Sequence, residues 1–258
     1  MTGVFAAATG LCVGSFGNVV VARLPKGEGL VWRGSHCPRC NRPLRWFHNI
    51  PLLGWVFLQG RCAFCRGRIS ARYPLVEAWF GLLFWLLAGR RGWDGQGIYF
   101  LFFFCAISLL ALLDWETMRL EDRYTLPLAL AGLSGSFLFP GLYGGRSWAS
   151  PEGAAGLFLA MLFISWLGRA LFRREAMGGG DVKFMAAAGG FLGLEGGLLA
   201  LGTAYVAGAL FSVAWLARGG SRKDPIPFGP FLAAGCLVAG LDLLSGGHLS
   251  ERLLGILF

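Results

Sequence analysis

The sequence is poor in charge. Only 14% of its 258 residues are Asp, Glu, Lys or Arg, where an ordinary soluble domain carries about 25%. That shortage excludes a soluble globular protein. The chain also lacks the parts of a cleavable secretory leader. No basic residue precedes the first apolar run, Asn18 and several glycines interrupt it, and no small-residue cleavage site follows. The run from Val4 to Val21 therefore reads as a retained first helix. There is no internal repeat and no low-complexity tract. No strand, glycine-rich turn and helix follow one another in the way that cradles a nucleotide. The net charge of +9 does not point to nucleic acid, because the basic residues lie between apolar spans, where membrane orientation accounts for them.

What the chain has in plenty is apolar length, with 55% hydrophobic residues. About eight apolar segments, each near the roughly 20 residues of a spanning helix, run over 3–23, 73–89, 97–114, 125–143, 153–170, 183–196, 198–217 and 227–245. The sixth is short and broken by Gly189, Gly190 and Gly193. The expected fold is an all-α polytopic membrane protein: a first transmembrane helix over 1–23, a small insertion over 24–72, and a helical bundle over 73–258. With the N-terminus outside, every Lys and Arg except Arg90, Arg91, Arg146 and Arg252 falls in cytoplasmic loops. That asymmetry is the positive-inside signature.

The insertion carries Cys37-Pro-Arg-Cys40 and Cys62-Ala-Phe-Cys65. Two CxxC pairs at this separation suit a zinc ribbon, each pair giving two thiolates to one tetrahedral ion. A unit of this size has little core, so a structural metal would supply much of its folding energy. In the reducing cytoplasm thiolates persist; in the inverted topology two disulfides would be the alternative. Cys12, Cys105 and Cys236 lie in apolar spans and read as small core residues.

Two acids stand out against the apolar background. Asp114 closes the run Ile107 to Leu113, and Asp181 follows the turn Gly178-Gly179-Gly180. A carboxylate within a membrane span costs roughly 2.5–3.5 kcal/mol on the lenient insertion scale, so each is a functional candidate. The charge argument places both at the cytoplasmic face. Two carboxyls sharing one proton hydrolyse a peptide: the ionised member takes a proton from water while the protonated member polarises the carbonyl. Gly178 and Gly180 let the backbone approach an extended substrate closely, and Lys183 is a candidate cation for holding Asp181 ionised. Asp122 rivals Asp114 as the first acid but lies in the stretch beyond the helix.

Taken together and in order, these features resemble the type IV prepilin peptidase family of bifunctional leader peptidases and N-methyltransferases. The resemblance rests on Gly14-Ser-Phe-Gly-Asn18 with Arg23-Leu-Pro25, the two CxxC pairs, Asn49-Ile-Pro-Leu-Leu53, Gly60-Arg-Cys62 and Ile69-Ser-Ala-Arg-Tyr-Pro-Leu-Val-Glu77. It continues through Asp114 with Thr125-Leu-Pro127, Glu175-Ala-Met-Gly178-Gly-Gly180-Asp181, and Ile226-Pro-Phe-Gly-Pro230. Ala176 stands where the family usually has glycine, and Gly17 where a larger apolar residue is common. The resemblance implies an aspartyl endopeptidase of the bacterial inner membrane, with Asp114 and Asp181 catalytic. It implies removal of the basic leader from type IV prepilins or pseudopilins at the cytoplasmic face. It also implies methylation of the new N-terminus by S-adenosylmethionine, at residues that the sequence does not identify. Two readings compete: a non-catalytic scaffold whose zinc unit docks a secretion partner, and a transporter using the acids as a proton relay.

Overall fold

Apolar backbone with no water to bond must satisfy its own N–H and C=O groups, and helix does this within one segment. The computed structural model describes residues 2–30, 34–172, 177–221, 224–247 and 249, and among these it contains helices and no strand. In chain order the helices are α1 (Thr2–Arg23), α2 (Leu53–Phe57), α3 (Arg72–Arg91), α4 (Gly95–Thr117), α5 (Asp122–Leu133), α6 (Gly135–Leu138), α7 (Ala149–Phe172), α8 (Gly179–Ala217) and α9 (Gly229–Leu244). Among the described residues, four stretches are long and apolar enough to cross a membrane: Thr2–Lys26, Gly95–Thr117, Ala149–Leu171 and Gly179–Ala217. The described residues are thus all-helical, in keeping with the chain's long apolar segments. The chain divides into two compact units, Met1–Cys105 and Ala106–Phe258.

In the first unit α1 packs along α3. Small residues make the approach possible. A methyl added at Gly10 would strike the carbonyl of Phe80, and one at Gly14 would come within 2.8 Å of the Glu77 Cα. One turn on, buried Asn18 donates from Nδ2 to the carbonyl of Tyr73 at 3.1 Å. Arg23 ends α1 and donates to the carbonyls of Gly29 and Gly34, which fastens the start of the following loop.

In the second unit α8 packs against α5, α7 and α9. Its 39 residues would run about 58 Å if straight, nearly twice a bilayer core of about 30 Å. The chain instead breaks at Gly193, where φ is 69° and ψ −178°. That conformation is essentially reserved for glycine. The contacts of α7 show what the break does. Its Ser165 and Arg169 line a groove with Gly179, Val182 and Lys183, while Gly153 lies against Gly189 and Gly193. The limb 179–192 therefore runs antiparallel to α7. Beyond the break, Gly156 meets Leu194 and Leu157 meets Gly197, so the limb 194–217 runs parallel to α7. The two limbs form a hairpin folded at Gly193. In turn α9 runs antiparallel to the second limb, with Gly235 against Ala200 and Phe228 against Gly208. Tyr143 donates from Oη to the carbonyl of Phe191 at 2.8 Å, taking up an acceptor in the turn before the break.

The apolar stretch 125–143 does not form one helix. It divides into α5, α6 and a 3₁₀ turn over Pro140–Tyr143. The α5 end is set where the Ser134 hydroxyl turns back to the carbonyl of Ala131 at 2.7 Å, a local bond that competes with helix continuation. Pro140 then closes off α6. Buried Ser136 and Ser150 exchange backbone-to-hydroxyl bonds at 2.8 and 3.2 Å, which ties α6 to the start of α7.

Candidate functional site

Each unit carries one polar constellation. In the first, the two CxxC segments fold into matching knuckles. The N–H of Cys37 donates to the carbonyl of Arg42 at 3.0 Å, and that of Cys62 to the carbonyl of Gly67 at 2.8 Å. The N–H of Asn41 returns to the carbonyl of Cys37, and that of Arg66 to Cys62. Asn41 and Arg66 both have φ of 56°, the left-handed corner that each knuckle needs to reverse. An isolated bridge closes each one, His36 with Pro43 and Arg61 with Arg68.

The result brings Cys37, Cys40, Cys62 and Cys65 together, with their sulfurs all within 4.8 Å of one another. All four are free thiols, and Cys37 Sγ lies 3.9 Å from Cys65 Sγ. Four sulfurs in a tetrahedron about 2.3 Å from a zinc ion would sit about 3.8 Å apart, so the donor set fits such an ion. Backbone N–H groups of Cys65 and Phe64 aimed at the Cys62 sulfur draw that thiol down to about 6. The Arg42 N–H acts likewise on Cys40, yet burial and the three neighbouring thiols outweigh it and push Cys40 up to about 11. Crowded thiols resist joint ionisation, a conflict that a bound dication relieves. His36 bonds the carbonyl of Gly34 at 3.3 Å through Nδ1 and is not among the clustered donors.

Beside the knuckles, Leu52 has φ 59° and ψ −52°, and the N–H of Leu53 reaches the carbonyl of Pro51 at 2.6 Å. This is a γ-turn of the rare, strained hand. Buried Glu77, 8% exposed, accepts the N–H of Leu52 at 2.8 Å and holds the turn against α3. The Asn49–Leu53 and Ile69–Glu77 motifs of the sequence are thus two sides of one clamp.

In the second unit the acids meet. Asp114 lies one turn before the end of α4, which stops at Met118, where φ is 51° and the N–H bonds back to Asp114 O at 2.8 Å. The Asp114 side chain is 6% exposed, and its Oδ2 accepts the N–H of Gly229 at 2.8 Å. Gly229 opens α9, so the carboxylate satisfies a first-turn donor and faces the positive end of a helix dipole. A methyl at Gly229 would lie 2.7 Å from Oδ2 and 2.9 Å from the Asp114 Cβ. Only glycine permits this approach.

Asp181 sits in the first turn of α8, its N–H bonded to the carbonyl of Gly178 at 3.1 Å. It lies close enough to Asp114 for the two charges to influence each other. Gly180 faces the link between α4 and α5: a methyl there would meet Leu120 Cβ at 2.8 Å and its carbonyl at 2.9 Å. A methyl at Gly178 would make only an ordinary contact, 3.7 Å from Asp181 Oδ2. The close approach at Gly180 is therefore made by this chain's own backbone. Lys183 pairs with Asp122 at 2.6 Å, both half exposed or more, and so is engaged away from Asp181. Glu175 and Ala176, which open the glycine motif, lie outside the described residues. Gly229 is the contributor that sequence reasoning passed over. Its motif, Ile226 to Pro230, was visible, but nothing in the sequence said that it would cap an acid far away in the chain.

These features define a class: an all-helical membrane protein with two acids drawn together in one unit and four clustered thiols able to hold a metal in the other. Residues 8–90 match the Bacterial Peptidase A24 N-terminal domain, and residues 100–213 match the Type IV leader peptidase family. A prepilin leader peptidase/N-methyltransferase of Myxococcus xanthus is 39% identical over 224 residues, 86% of this chain and 66% of that protein. Proteins of the same name from Xanthomonas campestris pv. campestris and Aeromonas salmonicida are 36% and 35% identical, with 93% and 94% of this chain and 92% of each relative covered. No solved structure matches the chain. The chain belongs to the type IV leader peptidase family.

Proposed function

We propose that this chain is an intramembrane aspartyl endopeptidase that removes the basic leader from type IV prepilins or pseudopilins at the cytoplasmic membrane face of a bacterial inner membrane. Asp114 and Asp181 are its catalytic pair. The observation that carries this reading is the meeting of two acids from separate helices at one end of the second unit, one of them anchored by the Gly229 N–H. The ionised acid draws a proton from water, and the protonated one polarises the scissile carbonyl. The collapse of the tetrahedral intermediate returns a proton to the leaving nitrogen. No protein nucleophile is involved. The names of the relatives support prepilins as substrates.

In this reading the loops rich in Lys and Arg lie in the cytoplasm. The insertion 24–72 carries zinc on Cys37, Cys40, Cys62 and Cys65 as a structural ion, set between the first helix 1–23 and the bundle 73–258. The second activity is methylation of the freed N-terminal amine with S-adenosylmethionine as donor, supported by the relatives' shared name. No residue of the chain is assigned to the donor.

The test is purified protein with a synthetic prepilin, read by mass spectrometry with and without S-adenosylmethionine. Leader loss alone, then leader loss plus one methyl mass, is the expected pair of results. Uncut substrate contradicts the endopeptidase reading. A cut product that gains no methyl contradicts the second activity only.

A further inference from the structure

Tyr205 carries a buried hydroxyl with no hydrogen-bond partner among the described residues. A donor held away from water and left unpaired costs free energy, so such a group calls for an account. Its place supplies one. Asp181 and Tyr205 stand equally far along the chain from Gly193, on opposite limbs of the α8 hairpin. At 1.5 Å per residue each lies about 18 Å from the fold-back, so the hairpin brings them to the same level. The Tyr205 ring packs on Phe228, centroids 5.3 Å apart. Phe228 immediately precedes Gly229, whose N–H holds Asp114. Tyr205, Asp181 and Asp114 therefore gather at one level of the second unit, and the Tyr205 hydroxyl is within electrostatic reach of Asp181 without bonding it. A substrate group brought to the acids would give this hydroxyl the partner it lacks.

We infer that Tyr205 is a third catalytic residue, its Oη donating a hydrogen bond to the scissile carbonyl oxygen as that oxygen gains negative charge. The inference rests on the endopeptidase reading and adds to it. As the water oxygen bonds to the carbonyl carbon, the water proton passes to the ionised aspartate and the carbonyl π electrons move onto oxygen. Tyr205 keeps its proton and stabilises that oxygen alongside the protonated aspartate. The oxygen's electrons then re-form the carbonyl, the C–N bond breaks, and the leaving nitrogen takes the proton that the aspartate received from water. A donor placed for the developing charge acts mainly on the chemical step.

The test compares wild type, Tyr205→Phe and Asp181→Asn, purified in detergent, on a synthetic prepilin. Tyr205→Phe deletes only an unpartnered hydroxyl. Its kcat should fall at least about tenfold, with KM within about twofold and an unfolding temperature no lower than wild type. Uncut prepilin should bind Asp181→Asn and the Asp181→Asn/Tyr205→Phe double variant equally, since the contact strengthens in the transition state. A kcat near wild type, a loss confined to KM, a lowered unfolding temperature or failure to fold each overturns the role. Asp181→Asn separates the two ideas. If it cleaves normally, the endopeptidase reading fails; if it is inactive while Tyr205→Phe is normal, only the Tyr205 inference fails.

Discussion

The backbone N–H of Gly229 donates to Oδ2 of Asp114 across a separation of more than a hundred residues, at 2.8 Å. One helix start thereby fixes the rotamer of a buried acid, and the bond requires a residue without a side chain. Gly229→Ala should push Asp114 aside. Inserting a methyl into such a contact costs about 1–3 kcal/mol, and the leader-cleavage rate should drop at least tenfold. Gly202→Ala is the matched control, because a methyl there meets nothing within 4 Å. It should leave stability unchanged or raised by up to about 1 kcal/mol, the difference in helix propensity. Paired cleavage assays and thermal melts check both.

The hairpin turn at Gly193 predicts a different failure. Alanine has no comfortable conformation at φ 69°, ψ −178°, so Gly193→Ala must strain the turn or straighten α8. Either outcome separates the limb bearing Asp181 from the limb packed on α9. We expect loss of cleavage together with a lowered melting temperature, and the melt distinguishes this from a substitution at the acids, which should leave folding intact.

Metal removal should act on the first unit. Thiolate ligands and folding are linked, so chelation releases folding energy as it strips the ion. Purified protein should carry about one zinc per chain by elemental analysis, as a four-thiolate site predicts. Cys37→Ser or Cys62→Ser should lower that content and raise protease sensitivity between residues 34 and 71. Absence of zinc with the four cysteines joined in disulfides would contradict the metal site.

Glu77 and Leu52 predict a stability change of opposite signs. Glu77→Ala leaves the Leu52 N–H without its acceptor and should destabilise by about 1–3 kcal/mol. Leu52→Gly relieves a turn that costs a bulky residue on the order of 1–3 kcal/mol; it should stabilise or be neutral, because glycine's own flexibility offsets part of the gain. Chemical denaturation followed by tryptophan fluorescence reads both.

Much of this was legible in the sequence, and for identifiable reasons. Apolar length does not depend on tertiary context, so the all-helical class could be read from composition. Asp114 and Asp181 stood out because acids in apolar spans are expensive. The cysteines stood out because two close pairs can serve one ion. Tertiary relationships were less accessible. The break in α8 lies at Gly193, a few residues before the boundary between the segments 183–196 and 198–217, because several glycines compete and only the backbone conformation shows which one turns. The segment 125–143 read as continuous on hydropathy, yet Ser134 and Pro140 divide it. Lys183 lay near Asp181 in sequence, but a helix projects near neighbours in different directions, and its partner is Asp122. The pairing of Gly229 with Asp114 left no trace in either segment alone.

The claim on which the account turns is that Asp114 and Asp181 act as one centre. Leader cleavage by Asp114→Asn, Asp181→Asn and the double variant, with each protein shown to be folded, measures this directly. Groups that act as a unit are not additive. Each single substitution should therefore abolish cleavage and the double should be no worse. A single variant that still cuts near the wild-type rate, or losses that multiply in the double, would contradict it.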